Sequence, residues 1–300
     1  MEPIYFHRYK LQTDRPLNSR SERHVISGAL LRQGDGFGCL QPWPELGDDP
    51  LDEHLQRLSS GEQSALVRRA LECCAIDGLG RRAGISLFAG LSVPQSHATL
   101  VGFPNLSDLE ALAAGGFEAV KIKISSSALA KLAAWKTVPL KIRLDANGAL
   151  MPEEFLAAMQ ALTDDVREAI DFVEDACAYD AEVWNFLRAR SGVELALDRG
   201  SGAMGYGVRV WKPAASFRPD WAGRLVVTSN MDHALGQMFA AYEAALCGTG
   251  EICGLLTQGL FAEDEFFAAV QSKGPQMLPP YGTGLGFDNL LEGLPWKRFV

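Results

Sequence analysis

The chain has 300 residues, 47% of them hydrophobic and 22% charged, a balance that excludes wholesale disorder and a length that allows two domains or one α/β barrel with an attached lobe. Lys and Arg number 28 against 37 Asp and Glu, a net charge of −9, which argues against a nucleic-acid or anionic-membrane surface. No apolar run reaches the roughly 18 residues of a membrane span, and the opening MEPIYFHRYK lacks the apolar core of a signal peptide. The cysteines (Cys39, Cys73, Cys74, Cys177, Cys247, Cys253) show no CxxC and no framework spacing, and the histidines show no ligand spacing. A reducing, cytoplasmic setting is expected, and a zinc site is not.

Residues 3–12 and 23–33 read as strands, and GDGFG at 34–38 carries an Asp35–Gly36 hairpin signal leading into a partner strand at Cys39–Leu40. The Pro- and Gly-rich loop 40–50, with Trp43, is expected to pack or to close over a ligand. Helical periodicity follows at about 50–58 and 62–83. These elements form an α+β lobe over residues 1–95, to which the tail 275–300 is expected to return.

From His97 the pattern repeats. HATLVGF, EAVKIKI (118–124), PLKIRLD (139–145), AIDFVED (169–175), VELALDR (193–199), VRVWKP (208–213), RLVVTS (224–229) and ICGLLT (252–257) are eight β-rich runs, separated in part by helical stretches at 106–115, 125–136, 152–166, 180–190 and 232–247. Alternation of near-continuous apolar strands with helices means a parallel sheet covered by helices. Eight runs point to a closed, TIM-like (β/α)8-type barrel over 96–274, modified to (β/α)7β, with the α+β lobe as its cap. The segments 199–208 and 214–223 are too short for full helices, so loops are expected there.

The charges fall at strand ends, where barrel chemistry resides. Lys121 and Lys123 lie two apart and share a face of one strand. Asp145, Glu174, Asp198 and Lys212 end the next four. Singly, an Asp after a strand is usually a helix cap and a Lys there usually solvated; together, on consecutive strands, they converge. Three carboxylates at one mouth repel unless a cation sits between them, and an all-oxygen set favours Mg²⁺, with Mn²⁺ as a substitute. Such a cation stabilises the dianion formed when a carboxylate loses its α-proton. The flanking lysines are then the proton-transfer groups, because burial and a nearby cation lower a lysine's pKa.

This series resembles the muconate-lactonising branch of the enolase superfamily, and within it the o-succinylbenzoate synthase family. The matching pieces are KIK at 121–123, RLDANG at 143–148, FVED at 172–175, LALD at 195–198, KP at 212–213, TSNMDHALG at 228–236, GLLTQGLF at 254–261 and GLGFD at 284–288. The resemblance implies a Mg²⁺-dependent lyase of menaquinone biosynthesis that converts 2-succinyl-6-hydroxy-2,4-cyclohexadiene-1-carboxylate to 2-succinylbenzoate by syn elimination of water. It implies Asp145, Glu174 and Asp198 as metal ligands, Lys123 as acid and base, Lys212 as a charge on the opposite face of the ring, and Lys121 as a group that steadies the substrate carboxylate and tunes Lys123. Thr228, Ser229 and Asn230 are a candidate cradle for the succinyl tail or, equally, a plain loop capping the next helix through Asn230 or Asp232. The partner is a small carboxylate, with neither nucleic acid nor membrane; oligomeric state stays open.

Arg199 stands where the family often has Glu after the third ligand. The same two lysines also suit an N-acylamino acid racemase or a dipeptide epimerase, or a muconate-lactonising activity; from another class, a non-catalytic barrel retained for binding. GTGLG at 282–286 follows no strand and is not a dinucleotide fingerprint. Ser201, Ser229 and the histidines form no nucleophile signature, His233 is expected to cap a helix or face solvent, and Phe266–Phe267 to pack a helix face.

Overall fold

The computed structural model describes residues 2–14, 17, 22–198 and 207–299. Strands β1 (Ile4–Gln12), β2 (Val25–Gln33) and β3 (Gly36–Leu40) form an antiparallel meander, followed by helices α1 (Leu51–Ser59) and α2 (Ala65–Ala83). Gly34 and Asp35 make the β2–β3 turn, with Gln33 opposite Gly36. The turn is therefore one residue earlier than the Asp35–Gly36 signal suggests. Gly34 adopts a φ of +59°, as a type II′ turn requires at its first central position. Gly36 is instead a strand residue pressed on α2: a Cβ there would lie 1.8 Å from the Cys74 carbonyl oxygen. Ser64 caps α2 by accepting from the Val67 N–H at 3.2 Å.

The second region runs β4 (Ala98–Leu100), α3 (Leu106–Ala114), β5 (Ala119–Lys123), α4 (Ser126–Leu132), β6 (Lys141–Asp145), α5 (Pro152–Ala161), α6 (Asp164–Ala169), β7 (Ile170–Glu174), α7 (Ala181–Ser191), β8 (Leu195–Leu197), β9 (Val208–Trp211), β10 (Arg224–Val227) and α8 (Ala234–Cys247). The helix expected over 152–166 is two helices, because Thr163 starts a second one by accepting from Val166 N–H. Strands β4 to β10 lie side by side, all parallel. The run 252–257 is no full strand; it closes the sheet through two parallel bridges, Ser96 to Cys253 and Thr228 to Gly254. His97 N–H donates to Cys253 O at 2.8 Å, and Gly254 N–H to Val227 O at 2.8 Å. The fold is a TIM-like barrel with a separate antiparallel lobe. No helix occupies 214–223; the shortened 199–208 connection lies mostly outside the described residues.

Period-two alternation sorts the strand side chains. Val120, Ile122, Ile142, Leu144 and Val173 face the helices in one core, while Phe172, Ala196, Val208, Val210 and Val226 fill the barrel interior. A third core joins α8 to the lobe through Leu30, Phe37, Trp43, Leu235 and Phe239.

After α9 (Glu265–Ala269), a hairpin of β11 (Gln271–Lys273) and β12 (Gln276–Leu278), and α10 (Asp288–Glu292), the tail adds β13 (Lys297–Arg298) antiparallel to β1. Buried Asp77 on α2 joins the tail to the lobe. It accepts from Phe37 N–H at 2.9 Å, Leu285 N–H at 2.7 Å and Arg81 Nε at 2.6 Å. Asp77→Ala strands those donors and a largely buried guanidinium, so denaturant unfolding should show a loss of about 3–5 kcal/mol. An unchanged midpoint would show the three donors finding other partners.

Candidate active site

Register brings the strand-end charges together. Lys123 on β5 is the lateral neighbour of Asp145 on β6, and Asp145 that of Glu174 on β7. Asp198 follows β8 and Lys212 follows β9. All six side chains, Lys121 included, line one cleft of about 560 Å³, counting its solvent-open mouth. Thr228, Ser229 and Asn230 line the same cleft, as do Trp43 and Leu46 from the lobe.

Lys121 is buried, with its ammonium between two carboxylates: 2.8 Å from each oxygen of Glu174 and 3.0 Å from Asp145 Oδ2. Burial works against its charge, but Asp145, Glu174 and Asp198 outweigh it and hold the pKa above the usual lysine range. Lys212 is ion-paired with Asp198. Lys123 donates to the carbonyl of Leu17, from the connection between β1 and β2. No carboxylate pairs with it at close range among the described residues, and burial, with Lys121 and Lys212 adding positive charge, pulls its pKa down to about 8 against the opposing pull of Asp145 and Glu174. Two lysines two residues apart thus differ in chemistry: Lys121 is held as a cation, and Lys123 gives up its proton more readily than an ordinary lysine.

Among the described residues, no three Asp, Glu, His or Cys side chains form a ready cation cage; the ammonium groups of Lys121 and Lys212 stand among the carboxylates instead. The donor set still fits a divalent cation. Glu174 is held above the ordinary carboxylate range, first by burial and then by Asp145 and Asp198, in spite of Lys121. Buried oxygen donors that repel one another on adjacent strand ends are what a hard cation relieves.

Strain gathers at the same ends. Asn147, Asp175 and Met231 have φ of 49°, 43° and 50°, left-handed values uncommon outside glycine and recurrent at functional sites. Asp175, next to Glu174, turns its carboxylate to the neighbouring strand end: its Oδ1 accepts from Asp198 N–H at 3.1 Å, orienting that residue, and burial followed by Asp198 and Glu174 raises its pKa.

Much of the 228–230 cradle is engaged within the protein. Ser229 Oγ lies 2.6 Å from Thr257 Oγ1. Asn230 Nδ2 donates to Gln41 O at 3.1 Å, and Asn230 O accepts from Trp43 Nε1 at 2.9 Å. These bonds tie the 40–50 segment to the cleft wall. The cap of α8 is neither Asn230 nor Asp232 but His233, whose Nδ1 accepts from Leu235 N–H at 3.2 Å. Its imidazole is buried against Phe266, and burial pushes its pKa down to about 3. Arg199 and Ser201 lie outside the described residues.

Residues 4–79 match the family model described as O-succinylbenzoate synthase, N-terminal domain. The o-succinylbenzoate synthase of Bdellovibrio bacteriovorus is 31% identical, with 99% of each chain covered. Among solved structures, muconate lactonizing enzyme from Pseudomonas fluorescens, complexed with muconolactone, superposes with a TM-score of 0.76 at 17% identity, covering 99% of this chain and 98% of that one. A dipeptide epimerase from Enterococcus faecalis, complexed with Mg and L-Leu-L-Tyr, superposes with a TM-score of 0.76 at 16% identity, covering 95% of this chain and 99% of that one. At such identities the structural likenesses carry the fold alone.

Proposed function

Because the chain belongs to the o-succinylbenzoate synthase family, a family of lyases, we propose that this cleft dehydrates 2-succinyl-6-hydroxy-2,4-cyclohexadiene-1-carboxylate to 2-succinylbenzoate, a step of menaquinone biosynthesis. The observation that carries the reading is the pair of unlike lysines on β5 beside buried carboxylates: one ammonium locked between Asp145 and Glu174, the other depressed to about 8.

Lys123, as the free amine, takes the proton from the carbon bearing the ring carboxylate. The electron pair moves into that carboxylate as a dianionic enolate. Mg²⁺, held by Asp145, Glu174 and Asp198, would supply the positive charge that makes this tolerable. Lys121 keeps Glu174 and Asp145 oriented toward that end of the cleft. The electrons then return, the C–O bond to the 6-hydroxyl breaks, and the Lys123 ammonium delivers its proton to the departing oxygen. Water leaves, the ring becomes aromatic, and the lysine is again an amine. One residue doing both transfers from one face is a syn elimination.

Lys212, ion-paired with Asp198, contributes as a cation. An ammonium facing an amine across the ring would also serve one direction of racemisation, so what favours dehydration over the epimerase reading is the full-length match to an o-succinylbenzoate synthase. Six cysteines, all free, support a cytoplasmic enzyme; among the described residues no helix is long and apolar enough to cross a membrane. The test is the appearance of 2-succinylbenzoate absorbance with and without Lys123→Ala, run beside racemisation of an N-succinylamino acid. Racemisation without dehydration would transfer the chain to the second reading.

The lowered pKa of Lys123 sets the pH profile. The amine is the active form, so kcat/KM should rise with pH through an apparent value of about 8 and level above it. In the Mg²⁺-loaded enzyme, the active form, the cation adds positive charge beside the lysine and should place that limb at or below this value. A rate independent of pH between 6 and 9 would remove Lys123 as the base.

A further inference from the structure

His97 stands at the floor of the cleft, just before β4, with 2% of its surface exposed. Its Nδ1 lies 3.0 Å from Arg143 Nη1. A guanidinium has donors only, so Nδ1 accepts and the ring proton is on Nε2. Arg143 has little freedom to relax this demand: Nε donates to Asp171 Oδ2 at 2.8 Å, Nη1 also donates to Ile252 O at 2.6 Å, and the group lies over the Phe172 ring at 4.8 Å. Burial, then Arg143 and Lys121, keep the imidazole neutral.

The Nε2 edge lies against Gly254. A Cβ on that glycine would meet Nε2 at 2.8 Å, Cε1 at 2.7 Å and Thr228 Cγ2 at 2.7 Å, so the ring has this place only because residue 254 lacks a side chain. The His97 ring is bonded through Nδ1, and its Nε2 edge borders the cleft; beside it the buried hydroxyl of Thr228 has no hydrogen-bond partner among the described residues. His97, Thr228 and Gly254 come from the closing arc of the barrel (β4, β10 and the 253–254 bridge), across from Asp145, Glu174 and Asp198 on β6 to β8.

We propose that His97 and Thr228 form a second polar subsite, in which the fixed Nε2–H of His97 donates to an oxygen of the substrate's succinyl side chain. The inference rests on the reaction proposed above, whose substrate carries oxygen at two ends: the ring carboxylate, which belongs with the cation and Lys121, and the keto acid chain. A neutral donor backed by Arg143 accepts a ketone or a carboxylate oxygen there and rejects a chain without one.

Binding of 2-succinylbenzoate and of plain benzoate, measured by calorimetry with Mg²⁺ on the full chain, tests it. His97→Leu should weaken 2-succinylbenzoate about 10-fold and leave benzoate within about twofold, and His97→Gln, which keeps a donor near Nε2, should restore most of the loss. Equal losses for both ligands, or none, would overturn the subsite. If His97→Leu does not fold, ¹⁵N-histidine spectra of the wild-type chain decide. The Nε2–H tautomer, perturbed by 2-succinylbenzoate and not by benzoate, supports the assignment; a proton on Nδ1, or no perturbation, overturns it. Dehydration by the wild-type enzyme is assayed in parallel: activity with an unselective binding pattern sinks the subsite alone, and inactivity sinks the reaction.

Discussion

Lys123→Ala should lower kcat for dehydration by about 10³-fold or more while leaving the thermal unfolding transition in place. The size follows from the proposed mechanism, in which two transfers rest on one group: the amine that would remove the α-proton is the ammonium that would protonate the leaving hydroxyl, so truncation removes both. Lys121, two residues away, cannot replace it, because its ammonium is held by Asp145 and Glu174 and retains its proton. Lys123→Arg should be nearly as damaging, since a guanidinium does not give up its proton near neutrality. Exchange of the α-proton in D₂O should stop together with turnover. Exchange that persists in Lys123→Ala and disappears in Lys212→Ala would move the base to the other face of the ring.

Chelation should be equally severe. EDTA followed by dialysis should reduce turnover by about 10³-fold, and Mg²⁺ should restore it, because charge stabilisation of a carboxylate-derived dianion is worth several kcal/mol. Glu174→Gln should reproduce the loss. It removes the middle one of the three proposed ligands and the partner that holds the Lys121 ammonium at 2.8 Å from both oxygens. Calorimetry should then show Mg²⁺ affinity falling for Glu174→Gln and Asp198→Asn alike. Full activity at undetectable metal content would leave the carboxylates as ion-pair partners for the lysines and nothing more.

The fold was legible because it is written in periodicity. Apolar alternation in KIK and RLD set which residues face the helices, and that left Lys121, Lys123 and Asp145 no side but the inside. Lys123, Asp145 and Glu174 align laterally through the parallel pairing of β5, β6 and β7, with a one-residue register shift at Ile142/Arg143 setting Asp145 opposite Glu174. The hairpin turn was misplaced by one residue because Asp-Gly is a stronger local signal than Gly-Asp; what chose Gly34–Asp35 was the approach of α2, which tolerates no side chain at 36.

Other features had no signal within their own segment. His97 is one histidine in a β-rich run; its role depends on Arg143 from β6 and on the bare Gly254. Nothing in its own segment marks Asp175; its left-handed backbone is what turns its carboxylate to the Asp198 N–H. The polar groups of Ser229 and Asn230 look available in the sequence, yet Thr257, Gln41 and Trp43 engage them.

By itself the sequence determined the barrel, the inward face of each strand and the identity of the charges at its mouth, because side-chain direction along a strand is a local property of period two. Which charge meets which was settled by packing: Lys121 is clamped between Asp145 and Glu174, Lys123 has its pKa pulled down to about 8, and His97 accepts at Nδ1 from Arg143. Those outcomes depend on burial and on neighbours tens of residues away, and the energy of a charge is set by what surrounds it rather than by what precedes it in the chain.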